Sequence, residues 1–347
     1  MDVTYKFLTA EEFHSPEYVK LQNKIHGKNG HASRLKRMEH YAAMGDLRVI
    51  VAIIDGKMVG QASAYRVKAI IEGKEQPFYW SCDTFLLPES RGYGMGKHLQ
   101  NELHKVCPNF SSAWYSPING IIKRKCGGSD LIDLKFTYYP VSNFCGLMWQ
   151  LASTKLFKKQ LTTNAHIPFL YYNLNKLFHK NKLKKYEVVE IHYSDLDEEI
   201  AEFMENSLKG YDFHIKRNLD FLKWTYGWKK GRYHMLAIKR DGRIDAVVAF
   251  SNVHNATHVI ARFKGVSILD LVISPDSQLT TKDVLLYVIQ YHKERKEKIE
   301  GVITFEQMNY FPKFIYPIPS VPLLSTYGKK LQKGYICLLY TSDAADE

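Results

Sequence analysis

Asp83-Thr-Phe-Leu-Leu-Pro-Glu-Ser-Arg-Gly-Tyr-Gly-Met-Gly-Lys97 reads as a strand that ends in a glycine-rich turn and opens into a helix. Thr84 to Leu87 are apolar or β-branched, Pro88 closes the strand, and Gly92, Gly94 and Gly96 let the backbone turn tightly. Met95, Leu99 and Leu103 then share one helical stripe. Such a turn presents free N–H groups at the positive end of a helix, the arrangement that receives a pyrophosphate.

The spacing decides between phosphate loops. No Gly-Lys-Ser/Thr is present, which excludes a Walker loop, and the three-glycine register of a dinucleotide turn is missing. Leu86, Pro88, Arg91, Gly94 and Gly96 fit Val-x-Pro-x-x-Arg-x-x-Gly-x-Gly. That pattern resembles motif A of the GCN5-related N-acetyltransferases, and the resemblance covers roughly residues 1–150. It implies that acetyl-coenzyme A is the co-substrate and that its pyrophosphate lies on the loop amides. The binding residues so implied are Leu86, Leu87, Arg91, Gly92, Tyr93, Gly94, Met95, Gly96 and Lys97. Backbone N–H groups near Leu86 and Leu87 would polarise the thioester carbonyl.

The 347 residues suffice for two ordinary cores. No apolar run reaches the roughly 18 to 20 residues that cross a bilayer, and the amino terminus has no basic-then-apolar leader pattern, so a soluble cytoplasmic protein is expected. Cys82, Cys107, Cys126, Cys145 and Cys337 form no Cys-x-x-Cys pair, which points to small buried hydrophobes rather than a disulfide framework or a zinc site. The net charge of +12 favours anionic partners without choosing among cofactor phosphate, nucleic acid and membrane. Much of the excess lies in residues 155–185, read as a basic helical linker.

The order of elements supports an α/β (α+β) fold. Val3 to Leu8 reads as a strand, Pro16 to Ile25 and Ala32 to Met44 as helices, and Leu47 to Ile54 with Met58 to Val67 as a hairpin around Asp55-Gly56. Phe78 to Leu87, Ser111 to Tyr115 and Leu134 to Tyr139 read as further strands, with helices over Gly96 to Val106 and Ile118 to Cys126. Leu236-Ala-Ile-Lys-Arg-Asp-Gly242 echoes Val51-Ala-Ile-Ile-Asp-Gly56, and Ile273-Ser-Pro275 echoes Leu86-Leu-Pro88 about the same distance on. Two tandem copies of the acetyltransferase-like fold are therefore expected, each a mixed, mostly antiparallel sheet flanked by helices. The divisions read as 1–150 for an acyl-coenzyme A domain, 151–185 for the linker and 186–336 for a second, degenerate copy. Past Pro275 the second copy has neither Arg nor glycine, so it is expected to lack the cofactor site. Phe221, Trp224, Tyr226 and Trp228 before its hairpin read as core or as pocket lining.

Acyl transfer to an amine requires a base for the amine, polarisation of the carbonyl and a proton or charge for the departing thiolate. Asp83, on the strand beside the thioester, is the expected base, with Glu89 a weaker candidate. The family's general-acid Tyr lies in a Tyr-x-Lys-x-Gly-Phe pattern, and the matching run here is Lys123-Arg-Lys-Cys-Gly-Gly128. Lys123 stands at the Tyr position and would stabilise the thiolate by charge, with Tyr115 or water as other proton sources. Asn119 reads as a cap or a cofactor contact at the start of that helix. His254 and His258 are four apart but have no evident third ligand, and His98 and His104 are expected on an exposed helix face.

The expectation is an N-acyltransferase with an amine acceptor held between the halves, for which the resemblance suggests an amino sugar or sugar nucleotide. Two alternatives stay open. One is a tandem aminoacyl transferase of cell-wall synthesis that uses charged transfer RNA, and the other is a non-catalytic acyl-coenzyme A-binding protein. Residues 337–347, Cys-Leu-Leu-Tyr-Thr-Ser-Asp-Ala-Ala-Asp-Glu, resemble an in-frame translation of a sequencing-library adapter, as in a truncated environmental bacterial read.

Overall fold

A two-residue Asp-Gly turn sits at the centre of each half. Asp55 and Gly56 have φ of 49° and 72°, and Asp241 and Gly242 have φ of 52° and 79°, the doubly left-handed turn that matches strand twist and joins strands tightly. The computed structural model describes residues 2–112, 117–134, 136–141, 156, 183–228, 231–257, 262–305, 321–331 and 334–335. Tyr115, His258, most of the basic stretch and residues 337–347 lie outside them.

The first half runs β1 (Val3–Phe7), α1 (Pro16–His26), α2 (Gly30–Ala42), β2 (Leu47–Ile54), β3 (Lys57–Ile71), β4 (Lys74–Leu86), α3 (Met95–Val106), β5 (Phe110–Ser112), α4 (Pro117–Lys125), β6 (Ser129–Leu134) and β7 (Phe136–Pro140). The second half contributes β8 (Glu187–Ile191), α5 (Glu198–Leu208), β9 (Phe213–Ile215), α6 (Leu219–Gly227), β10 (Tyr233–Arg240), β11 (Arg243–Ser251), β12 (His254–Thr257), β13 (Arg262–Ile273), α7 (Thr281–Glu294), β14 (Gly301–Phe305), β15 (Val321–Ser325) and β16 (Gly334–Tyr335).

Two mixed sheets with matching strand order result. The first reads β1-β2-β3-β4-β5-β15-β6 and the second β8-β10-β11-β13-β14-β7. In each, antiparallel hairpin strands lead to one parallel step, β4 to β5 or β13 to β14, and then to a strand from the opposite half. β15 pairs antiparallel with β5 and β6, while β7 pairs antiparallel with β14. The single strand expected over Leu134 to Tyr139 is thus two strands on two different sheets. β9 adds a further cross-connection by pairing with the end of β3, where Ala69 faces Ile215 and Ile71 faces Phe213.

The apolar stripe of α3 is buried as its spacing predicts, with Met95, Leu99 and Leu103 packed among Val49, Val51 and Tyr79. In the second half Val284, Leu285 and Val288 of α7 pack with Leu236, Ile238 and Val248. A third cluster is shared, joining Tyr41, Tyr65 and Trp80 of the first half to Met204, Phe213 and Val247 of the second. The aromatic helix α6 belongs to this contact. Trp224 Nε1 donates to His40 O at 2.7 Å, and the His40 ring stacks on Trp224 and Trp228 with centroids 4.5 and 4.1 Å away. Among the described residues no helix is long and apolar enough to cross a membrane.

Strand exchange makes each sheet depend on the other half, because an unpaired edge leaves a row of backbone donors and acceptors without partners. Residues 1–142 and 183–336 produced as separate chains are expected to give no cooperative thermal transition alone and to regain one when co-expressed. A sharp melt of the isolated 1–142 chain, followed by circular dichroism, would count against this account of the fold's stability.

Candidate functional site

β4 carries one residue more than β3 at the site. Ser63 faces Cys82 and Gln61 faces Phe85, so a bulge lies between them, and Asp83 within it has φ of 42°, a region aspartate tolerates better than most residues. Side chains from both preceding helices hold this bulge. Gln61 Nε2 donates to Asp83 O at 2.9 Å, and the same Gln61 accepts through Oε1 from Tyr18 and Gln22 of α1, all three being buried. From α2, Arg34 Nη1 donates to Asp83 Oδ1 at 2.6 Å, and Arg37 lies 3.8 Å from the same oxygen. The sequence marked Asp83, but neither arginine was legible as its partner.

Just before the bulge β4 parts from β5. Their ladder holds two pairs, Tyr79 with Phe110 and Trp80 with Ser111, and from Ser81 onward β4 has no partner in β5 among the described residues. Leu87 N–H donates to Val59 O at 2.9 Å on the β3 side. Successive N–H groups of an antiparallel strand point to opposite sides, so that of Leu86 points away from β3. The donor expected from Leu86 and Leu87 is therefore Leu86, with Leu87 already committed to the sheet. Gly60 explains how the strands lie so close here, since a Cβ at that position would stand 2.3 Å from Leu86 Cδ2.

The loop that follows is open. Arg91 Nε donates to Leu86 O at 3.3 Å and closes the loop onto the strand end. Gly94 is the N-cap of α3 with φ of 76°, no side chain caps the helix, and a Cβ at Gly92 or Gly94 would meet nothing within 4 Å. The N–H groups of Met95 and Gly96 are first-turn donors, which lack intrahelical partners. Arg91, Gly92, Tyr93, Gly94 and Lys97 are exposed around them. Thr84 Oγ1 in the bulge is buried with no hydrogen-bond partner among the described residues. Open glycines, uncapped donors and an orphaned hydroxyl fit a phosphate-bearing thioester laid along α3 and the free side of β4.

The second half closes the matching place. Thr280 Oγ1 accepts from Asp283 N, while Asp283 Oδ2 accepts from Thr280 N at 2.8 Å and from its hydroxyl at 2.7 Å. This capping box puts a carboxylate of the chain itself where an anion would lie at the start of α7. Five residues before Pro275, as Asp83 stands five before Pro88, Asp270 is paired with Arg217, so both halves keep an Arg–Asp pair at this point of the fold.

Lys123 lies at the fork between β4 and β5. It is 3 % exposed, its Nζ donates to Ser81 Oγ at 3.0 Å and to Ser112 Oγ, and it stands 5.3 Å from the centroid of the Phe110 ring. Burial without an ion pair among the described residues pushes its pKa down to about 7. Asn119 lies inside the first turn of α4, which begins at Pro117, and is not its cap. Glu89 faces solvent in an ion pair with Lys24. His98 stacks on Tyr5 at 3.9 Å, whereas His104 is half-buried against Cys126 O rather than exposed, and burial lowers its pKa. His254 contacts Ser251 Oγ and Ser267 Oγ through its two ring nitrogens.

No family model and no curated protein matches the chain. Among solved structures, the fold is similar to a probable N-acyltransferase from Enterococcus faecalis, with TM-score 0.58 and 13% identity over 94% of this chain and 72% of that one. It is similar to a tandem GNAT protein of the clavulanic acid biosynthesis pathway, with TM-score 0.54 and 10% identity over 95% of this chain and 100% of that one. It is also similar to Saccharomyces cerevisiae N-myristoyltransferase with bound myristoyl-coenzyme A, with TM-score 0.51 and 10% identity over 94% and 83% of the two chains. The chain therefore has a tandem acetyltransferase-like fold.

Proposed function

We propose that this chain is an N-acyltransferase that moves an acetyl or related acyl group from an acyl-coenzyme A to an amine, with one thioester site, in the first half. The contrast between the two helix starts carries the reading: α3 is open and uncapped beside the free side of β4, and α7 is capped by its own carboxylate. Arg91, Gly92, Tyr93, Gly94, Met95, Gly96 and Lys97 would hold the pyrophosphate. Leu86 N–H would donate to the thioester carbonyl.

Asp83 is the group proposed to take the amine's proton, held in place by Arg34 and Arg37. The amine nitrogen bonds to the acyl carbon, the carbon–sulfur bond breaks, and the electron pair leaves on sulfur. Lys123 supplies the proton that sulfur takes up and regains one from solvent. An amino sugar is the first acceptor to test, since the family resemblance suggests that class.

Titration calorimetry with acetyl-coenzyme A is expected to give one site per chain. Gly94→Asp is the decisive variant, because aspartate tolerates the left-handed conformation better than most residues and sets a like charge against the pyrophosphate. Its affinity for the thioester should fall by about 10²-fold or more, like-charge contacts costing several kcal/mol. Unchanged affinity in Gly94→Asp, or two equal sites in the parent, would overturn the assignment. Binding of charged transfer RNA with none of the thioester would favour the aminoacyl transferase.

A further inference from the structure

The environment of Lys123 contains more than the lysine. Ser81 is the first residue of β4 past its last pair with β5, and Ser112 is the last residue of β5, so the two hydroxyls face each other where the strands part. Lys123 reaches that point from α4 and donates to both. Ser112 is buried and Ser81 half-buried, so neither is an ordinary surface serine. The titratable groups that act on the ammonium from the packed elements are Cys82 on β4, Cys126 after α4 and His104 on α3. No carboxylate pairs with it among the described residues.

We propose that Ser81 and Ser112 are positioning residues whose hydroxyls hold the Lys123 ammonium in the fork between β4 and β5, as the proton donor for the departing thiolate. This rests on the acyl-transfer reading above. The donor passes a proton from Nζ to sulfur, which carries the electron pair of the broken carbon–sulfur bond, and Lys123 is left as a neutral amine until solvent reprotonates it. A buried ammonium needs acceptors, and the two hydroxyls favour the charged form against the burial that disfavours it. Without them the ammonium has lost the acceptors that hold it, and the lysine loses its proton at lower pH.

Ser81→Ala with Ser112→Ala removes acceptors from the charged form, so the Lys123 midpoint should fall from about 7 by about one pH unit or more. The 13Cε shift of Lys123, assigned by comparison with Lys123→Met, reads that midpoint without any turnover. The alkaline limb of kcat should move down with it, since the acid is lost as pH rises through its pKa, and KM for the thioester should change by less than about twofold. Ser81→Thr with Ser112→Thr keeps both hydroxyls and should restore the midpoint and the limb. If the double alanine variant does not fold, Ser81→Ala alone should give a smaller shift of the same sign. A folded alanine variant with the parent's midpoint and limb would overturn the proposal. A parent chain that transfers no acyl group would remove the function but leave the 13Cε result to decide whether the serines set the charge of Lys123.

Discussion

Asp270→Ala is expected to lower the unfolding free energy by about 3–5 kcal/mol, the cost of breaking a buried ion pair from one side. Arg217 and Asp270 have side chains 0% and 1% exposed. Arg217 Nε donates to Asp270 Oδ2 at 2.9 Å and Nη2 to Oδ1 at 3.4 Å, while the hydroxyls of Tyr335 and Tyr226 donate to the same carboxylate at 2.8 and 3.3 Å. Removing the carboxylate leaves a guanidinium and two phenols in a core where water does not reach. Arg217→Met with Asp270→Leu should recover most of the loss, because apolar groups of similar volume carry no desolvation penalty. Denaturant unfolding followed by fluorescence measures both. A loss below about 1 kcal/mol in Asp270→Ala, within the range of a surface change, would show that the pair does not hold the second half together.

Asp83→Asn is expected to reduce turnover by about 10²- to 10⁴-fold at neutral pH, the usual cost of removing a positioned base. The amide keeps an oxygen for Arg34 and the shape of the bulge, so thioester affinity should change little. The matching Arg217–Asp270 pair frames the competing account. That pair lies in the half whose helix start is capped by Asp283, and β13 is bulged there too, Ala249 facing Asp270 and Phe250 facing Ile268, so an Arg–Asp pair at this place also serves to clamp a bulged strand. If the clamp is its whole role at Asp83, the asparagine variant would melt earlier while turnover per folded molecule stayed within a few-fold of the parent. Initial rates over a pH series, together with a melting curve of the same preparation, separate the two results.

The local half of the structure was legible in the sequence. Asp55-Gly56 and Asp241-Gly242 announce hairpins because few other dipeptides accept two left-handed residues in succession, and both turns are present. Met95, Leu99 and Leu103 announce the buried stripe of α3 because the helical period places them together. The loop was readable for the same reason, its signal lying within residues 83–97, and the tandem plan from two short echoes at one offset.

Tertiary structure decided everything that joins residues far apart. The 49-residue separation of Arg34 from Asp83 and the 42-residue separation of Lys123 from Ser81 carry no pattern, and only the fold brings them within hydrogen-bond reach. The same holds for the exchange of β7 and β15, because a strand's period shows which face is buried but not which of two similar sheets offers it an edge. The sequence by itself determined a glycine-rich turn between a strand and a helix, and two hairpins that repeat. Packing alone determined that the loop's strand passes beside a buried lysine, because burial and charge are properties of a place that many segments build together.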